Sequence, residues 1–385
     1  MPGHMQAAVL EAPSKLVIRQ ISVPEPAAND LLVRVAAVGL CGTDIHIFRG
    51  DGNYNMDPLG RVIPLEEQPQ ILGHEFCGQV VDAGTRVKGF QLGDRVALDQ
   101  GLSCYSFSRN PICEYCQTGD SHQCLYYQEH GITGLQGAMA EYVAIPAVNA
   151  VKLPGHLSFL EAAMSEPLAC ILHSTEMLER TPARYTFDGP RRIRSILICG
   201  SGPAGLLFSQ YLRNVRRFDG QVIVADTQEK KLDLANRFGA ATVNISQQPL
   251  IEAIRELTKG ERVECLIDAC GNSLLFEQAP WLLRKQGTFL LYGHGHKGKD
   301  IGILNLVQFL EPTLISPIGA SGGFAPEGKP LTYSRAVEMI SNGKVSVRSM
   351  ITHSYPALDR LQRALTEDYR EPGYVKGVVE LLKES

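Results

Sequence analysis

Residues 195–205 read Ser-Ile-Leu-Ile-Cys-Gly-Ser-Gly-Pro-Ala-Gly, an aliphatic run that breaks into glycines spaced Gly200-x-Gly202-x-x-Gly205 and continues through Leu206, Leu207 and Leu212 at helical spacing. A strand that turns into a helix over glycines so placed has few solutions. The first glycine permits a tight turn, the second lets an outside group approach the backbone, and the third lets the helix pack closely on the strand. The helix N-terminus that results presents backbone N–H groups suited to a pyrophosphate, and Pro203 suits its first turn. Gly200, Gly202, Pro203, Ala204 and Gly205 are therefore candidate dinucleotide-binding positions. Such a triplet alone marks only a turn, but here the next aliphatic run ends in Asp226, 21 residues after Gly205. A carboxylate there meets adenosine ribose hydroxyls. It also repels a 2′-phosphate, and Thr227 and Gln228 supply no arginine to hold one, so NAD is expected over NADP. The plainer alternative is that Asp226 starts the turn before a helix over 229–238.

The texture around this motif predicts two domains, as does a length of 385 residues, which exceeds what one core usually supports. Aliphatic runs at 195–199, 221–225, 264–269 and 288–292 alternate with helix-like stretches, the pattern of βαβ units and a doubly wound parallel sheet. Upstream, alternating runs such as 31–38 and 79–81 are broken by Gly, Pro, Asn and Asp, which reads as a mainly β domain. A polar, basic stretch at 179–194 reads as a surface connection. A helix near 333–342 and a β-like 375–382 are expected to return the chain to the first domain. The expectation is a mainly β domain over 5–172 and 318–385 and a doubly wound domain over 173–317. Residues 1–5 read as an added leader and carry no weight in it.

Composition narrows the partners. A net charge of −4 without a run of five like charges gives no support for a nucleic-acid or anionic-membrane surface. No apolar stretch of about 18 residues suggests a membrane span, and the N-terminus does not resemble a signal peptide. A small-molecule substrate and a cytoplasmic location are expected.

Ten cysteines without an export signal argue for thiols and metal ligation rather than disulfides. Cys104-x8-Cys113-x2-Cys116-x7-Cys124 has the spacing of a structural zinc tetrad, although its first gap is long. A catalytic zinc needs fewer protein ligands and an open position, and Cys41 in Gly-Leu-Cys-Gly-Thr-Asp-Ile-His and His74 in Gly-His-Glu-Phe-Cys-Gly are the candidates.

Gly73-His74-Glu75-x-x-Gly78-x5-Gly84-x2-Val87, Cys41-Gly-Thr-Asp-x-His46, Gly93-Asp-Arg-Val96, the cysteine tetrad and the glycine triplet occur in an order similar to that of zinc-dependent medium-chain alcohol and polyol dehydrogenases. Glu166-Pro167-Leu168 makes the sorbitol and threonine dehydrogenase branch the nearest likeness. The resemblance implies a GroES-like mainly β catalytic domain joined to a Rossmann domain, two zinc ions per chain, NAD, and a homo-oligomer, dimer or tetramer. It implies that Cys41 and His74 bind the catalytic zinc while Glu75 and Glu166 compete for the third place, one as ligand and one across a water. Cys170 is a weaker rival, since a cysteine among alanine and isoleucine reads as core. Thr43 and His46 resemble the proton relay, although His46 also reads as an ordinary surface imidazole. Gly293 follows the strand expected beneath the nicotinamide, and the polar loop 293–299 is either a phosphate contact or a plain turn.

The reaction so implied is oxidation of a secondary hydroxyl on a polyol, sugar or cyclitol, with zinc as Lewis acid and hydride leaving for the nicotinamide. A reductase acting mainly on the ketone shares every one of these residues. A non-catalytic zinc and dinucleotide sensor would need no relay. The segment 49–70 is longer than the family's usual link and reads as a flap or an oligomer contact, and the extra residues inside the cysteine tetrad read likewise.

Overall fold

In the computed structural model, which describes residues 2–294, 307–326 and 328–382, the chain divides into two compact units, Met1–Ala169 with Ala320–Ser385, and Cys170–Gly319.

The first unit is built on a seven-stranded sheet. Its path runs Ala150–Lys152, Arg95–Leu98, Glu75–Ala83, Asp30–Gly39, Lys376–Glu380 and Ile351–Tyr355, and Tyr142–Pro146 also pairs with Asp30–Gly39. Asp30–Gly39 is the central strand, and eight of its ten residues are buried, with Arg34 alone fully exposed. An apolar run of this kind, covered on both faces, can sit only in mid-sheet. A three-stranded sheet of His4–Ala12, Lys15–Ser22 and Gln70–Ile71 completes the layer, with Leu10, Leu31, Phe76, Leu98 and Met139 between. Fully burying each such side chain contributes about 1.5–3 kcal/mol before entropy is charged against it. His4 and Met5, given no weight in the domain expectation, take part in the fold: the first strand begins at His4, paired with Ser22, and Met5 packs into the core.

The register around Asp30–Gly39 sets up the chemistry. Gly39 lies opposite Glu75 on one neighbour and Val378 on the other. The strand that begins at Lys376 comes from the far end of the chain, so the C-terminal segment pairs into this sheet.

The second unit is a six-stranded parallel sheet in the order Ala241–Asn244, Gln221–Asp226, Ser195–Cys199, Val263–Asp268, Leu283–Leu291, Thr313–Ile315. In chain order that is 3-2-1-4-5-6, whose switch point lies beside the first strand, where the glycines emerge. All five residues of Ser195–Cys199 are buried. The fifth strand is longer than its aliphatic run suggests: it starts at Leu283 and crosses Gln286, which sits at φ 57°, before the apolar part. Its charged start is held by Arg284, which pairs with Glu261 and with the buried Glu264.

Candidate metal and dinucleotide sites

The central strand of the first unit ends at Gly39, and after one turn the chain enters a helix, Gly42–Arg49. Cys41 is its N-cap, and Asp44 folds back so that the Cys41 N–H donates to Asp44 Oδ2 at 2.8 Å. Asp44 is fully buried, and its other oxygen accepts the Gly73 N–H at 3.1 Å and faces His74 Nδ1 at 3.4 Å. One carboxylate thus stitches together the two segments that carry Cys41 and His74. With Nδ1 turned to Asp44, Nε2 of His74 is left for a metal. Gly73, at φ 92°, turns the chain where a Cβ would lie 2.8 Å from Val38 Cγ1.

The Cys41 thiol, the His74 imidazole and the Glu75 carboxylate have donor atoms within 4.8 Å of one another. Thiolate, imidazole and carboxylate in that span fit a zinc ion with metal–ligand bonds of about 2.0–2.3 Å. Burial alone would lower the His74 pKa, but the charges of Asp44 and Cys41 outweigh it and raise it well above the ordinary value. The surroundings are those of a cation site.

One further group at this site, Lys376, is one that the sequence did not signal. Lys376, 2 % exposed, donates to Glu75 Oε1 at 2.6 Å and contacts Oε2 as well. The ammonium reaches across Gly39, where a Cβ would collide with the Glu75 carboxylate and press on the lysine stem, so glycine is needed there for space. Burial lowers the Lys376 pKa, but the charges of Glu75, Cys41 and Glu166 reverse this and raise it. Glu166, buried at the start of the helix Ser165–Arg180, is not among the three clustered donors; its Oε1 accepts from Gln100 Nε2 at 3.1 Å. Cys170, buried one turn further along that helix, belongs to neither donor cluster among the described residues.

Thr43 Oγ1 lies 3.7 Å from Cys41 Sγ. His46, half-buried on the same helix, has Nδ1 3.9 Å from Asp51, which also pairs with Arg49. Tyr54, from the long 49–70 segment, packs against the core of this unit, and its hydroxyl pKa is raised by burial and then by the Cys41 charge. The rest of it folds back through a Met56–Val62 bridge and exposes Met56, Leu59 and Val62.

The four cysteines of the tetrad converge with sulfurs within 4.8 Å, Cys104 included, despite its long spacing. Cys104 and Cys124 sulfurs are 3.6 Å apart, Cys113 and Cys124 3.8 Å, and all four thiols are free. Burial raises Cys113, yet backbone N–H donors bring it down to about 6, while burial pushes Cys116 and Cys124 up. One thiolate ready among four sulfurs, with backbone donors aimed at them, fits a structural zinc. His122, inside the same loop, accepts the Ala320 N–H at Nδ1 and donates from Nε2 to Asp99 Oδ1 at 3.1 Å.

In the second unit, Gly200 sits at φ 106° and Gly202 caps the helix Pro203–Gln210, with Pro203 in its first turn. A Cβ on Gly205 would lie 1.9 Å from the Gly200 carbonyl, whereas one on Gly202 would meet nothing within 4 Å. Those are the close-packing and open-approach positions that a pyrophosphate cradle requires. Asp226 closes its strand with Oδ2 accepting from Ser201 N at 2.7 Å and Oδ1 from Gln228 N at 3.0 Å. Lys231, whose pKa is lowered by burial against the opposing pull of Asp226, is a nearby cation. It lies beyond the two residues on which the sequence argument against a 2′-phosphate rested. At Gly293 a Cβ would lie 2.2 Å from the Gly271 N. Residues 295–299 of the polar loop lie outside the described residues.

Comparison with known proteins identifies the family. Residues 27–155 match the alcohol dehydrogenase GroES-like domain family and residues 203–342 the zinc-binding dehydrogenase family. The D-arabitol-phosphate dehydrogenase of Enterococcus avium is 30% identical over 92% of this chain and 89% of its own length. The sorbitol dehydrogenase of Bacillus subtilis is 28% identical over 95% of each chain. A crystal structure of a Sinorhizobium meliloti protein described as a zinc-binding dehydrogenase, bound to NADP, superposes with a TM-score of 0.79 at 29% identity, covering 98% of this chain and 100% of that one. An Escherichia coli alcohol dehydrogenase complexed with NADH gives 0.79 at 26% identity, covering 99% and 100%.

Proposed function

Because the chain belongs to the zinc-dependent medium-chain alcohol and polyol dehydrogenases, we propose that it oxidises a secondary hydroxyl of a polyol, sugar or cyclitol-like substrate and passes the hydride to NAD. The observation that carries this reading is the convergence of Cys41, His74 and Glu75 on one another. Those three residues would hold the catalytic zinc, with Glu166 supporting it from outside the three-donor cluster. Bound zinc supplies Lewis acidity that eases loss of the hydroxyl proton. The chain's own part is to receive that proton: Thr43 accepts it by hydrogen bond and His46, beside Asp51, passes it toward solvent. Cys104, Cys113, Cys116 and Cys124 would hold a second, structural zinc. Gly200, Gly202, Pro203, Ala204 and Gly205 would cradle the pyrophosphate, with Gly293 near the nicotinamide and Asp226 on the adenosine ribose.

Support for a polyhydroxylated substrate comes from the arabitol-phosphate and sorbitol dehydrogenases among the relatives. The reading includes a cytoplasmic homo-oligomer, a dimer or tetramer, for which the exposed Met56, Leu59 and Val62 offer apolar contact surface. The test is NADH production by zinc-loaded protein across neutral polyols, polyol phosphates, cyclitols and amino alcohols, repeated after chelation. Chelator-sensitive turnover of at least one secondary alcohol is the expected result. Absence of turnover across the panel, by protein shown to carry both metals and to bind NADH, would overturn it.

A further inference from the structure

The two carboxylates at the catalytic cluster are held in different ways. Glu75 is paired with a buried ammonium, so its charge is compensated within the protein. Glu166 takes a hydrogen bond from a neutral amide. Gln100, fully buried, donates from Nε2 to Glu166 Oε1 at 3.1 Å and to Glu129 Oε1 at 2.9 Å. Both amide N–H groups are thereby used. Gln100 Oε1 in turn accepts from the hydroxyl of Tyr333, which is 1 % exposed. The orientation of this amide is not arbitrary: turned over, it would set its oxygen against two carboxylates.

The backbone beneath is clamped. Asn149 Nδ2 donates to the carbonyls of Asp99 and Gly101 at 3.0 and 2.8 Å, and the His130 N–H donates to the Gln100 carbonyl at 3.0 Å. Gln100 follows the strand Arg95–Leu98, and neighbouring side chains of an extended segment point apart. Asp99 accordingly binds His122 in the cysteine loop while Gln100 turns to Glu166.

We propose that Gln100 is a positioning residue of this enzyme, its amide fixing Glu166 and Glu129 as a pair. Support of the metal site needs the Glu166 carboxylate at a set place. An apolar side chain in place of Gln100 would remove the bridge between the two carboxylates. Tyr333 sets the amide and so acts one step further out. The inference rests on the reading that Glu166 serves the catalytic zinc.

The experiment compares Glu166→Gln, Gln100→Leu, their double variant and Tyr333→Phe, each zinc-loaded. Four quantities are read: kcat and KM separately, the pH profile of kcat/KM, zinc content, and the rate at which a chelator removes the catalytic zinc. Gln100→Leu is expected to lower kcat/KM by about 10- to 100-fold, the usual cost of losing an outer partner of a metal site. Its pH profile and chelation rate should move in the same direction as those of Glu166→Gln. The double variant should be little worse than Glu166→Gln alone, since the two act as one unit, and Tyr333→Phe should show a smaller loss of the same sign. Parental kinetics in both Gln100→Leu and Tyr333→Phe beside an impaired Glu166→Gln would overturn the role of Gln100 alone, as would fully additive losses. A silent Glu166→Gln would overturn both this inference and the reading beneath it. Where Gln100→Leu gives no folded protein, Tyr333→Phe with the same readouts decides.

Discussion

Single residues in this protein act through pairings formed across long sequence distances. Lys376 and Glu75 are 301 positions apart, and their contact depends on a missing side chain at Gly39. Removing the ammonium leaves a buried, uncompensated carboxylate, a change that costs about 3–5 kcal/mol. Lys376→Met is therefore expected to lower the thermal midpoint sharply in zinc-stripped protein and less in zinc-loaded protein, where the metal supplies the compensating charge. Equal losses in the two forms would show that Glu75 does not face the metal. His130 gives a second prediction. Burial holds its pKa below the usual value, with Nδ1 donating to the Gln136 carbonyl at 2.8 Å and Nε2 without a hydrogen-bond partner among the described residues. The folded pKa lies below the unfolded one, so this histidine's contribution is present above about pH 6.5 and is lost as pH falls. Urea midpoints at pH 7.5 and 5.5 should fall further for the parent than for His130→Gln, and parallel slopes would refute the account.

At the scale of elements, the glycine turn and the strand ending in Asp226 form one device. Asp226 accepts the Ser201 N–H, so the residue placed for ribose also pins the glycine loop. Asp226→Gly should erase at least tenfold of a preference for NAD over NADP, from lost repulsion and hydrogen bonds on the order of 1–3 kcal/mol. Lys231 nearby then becomes available to a 2′-phosphate. Ratios of kcat/KM for the two cofactors check this, and equal use of both by the parent would refute the assignment. Gly205→Ala places a Cβ 1.9 Å from the Gly200 carbonyl, which must move. Such overpacking costs about 1–3 kcal/mol, and NADH affinity measured by fluorescence should fall by more than tenfold while zinc content stays parental. This turn was legible in the sequence because its glycines, strand and carboxylate are local. The start of Leu283–Leu291 was not, because its charged residues are held by Glu261 and Glu264 on another segment.

For the whole molecule, the cysteine loop is fixed within the first unit by more than its four sulfurs. His122 ties it to Asp99 and to the returning chain at Ala320. Cys113→Ser is expected to reduce zinc from about two per chain to about one and to lower stability, because structural metal binding is folding free energy. Retention of both equivalents by a Cys113→Ser, Cys116→Ser double variant would show that these sulfurs hold no zinc.

Local spacing in the chain encodes much of the chemistry. A glycine triplet between strand and helix, four cysteines in one loop, and the Cys41 and His74 motifs each carry their chemistry within a few residues. Asp44 was already inside the quoted Cys41 motif, but its work became visible only when the fold brought Gly73 and His74 against it. Tertiary structure alone decided which carboxylate joins the three-donor cluster, what compensates it and what holds the other. Glu75 and Glu166 are chemically alike in the sequence; one meets Lys376 across Gly39 and the other meets Gln100 under Tyr333. The difference between them is burial and partner, and both come from sheet register and the return of the C-terminal strand, which no local pattern specifies.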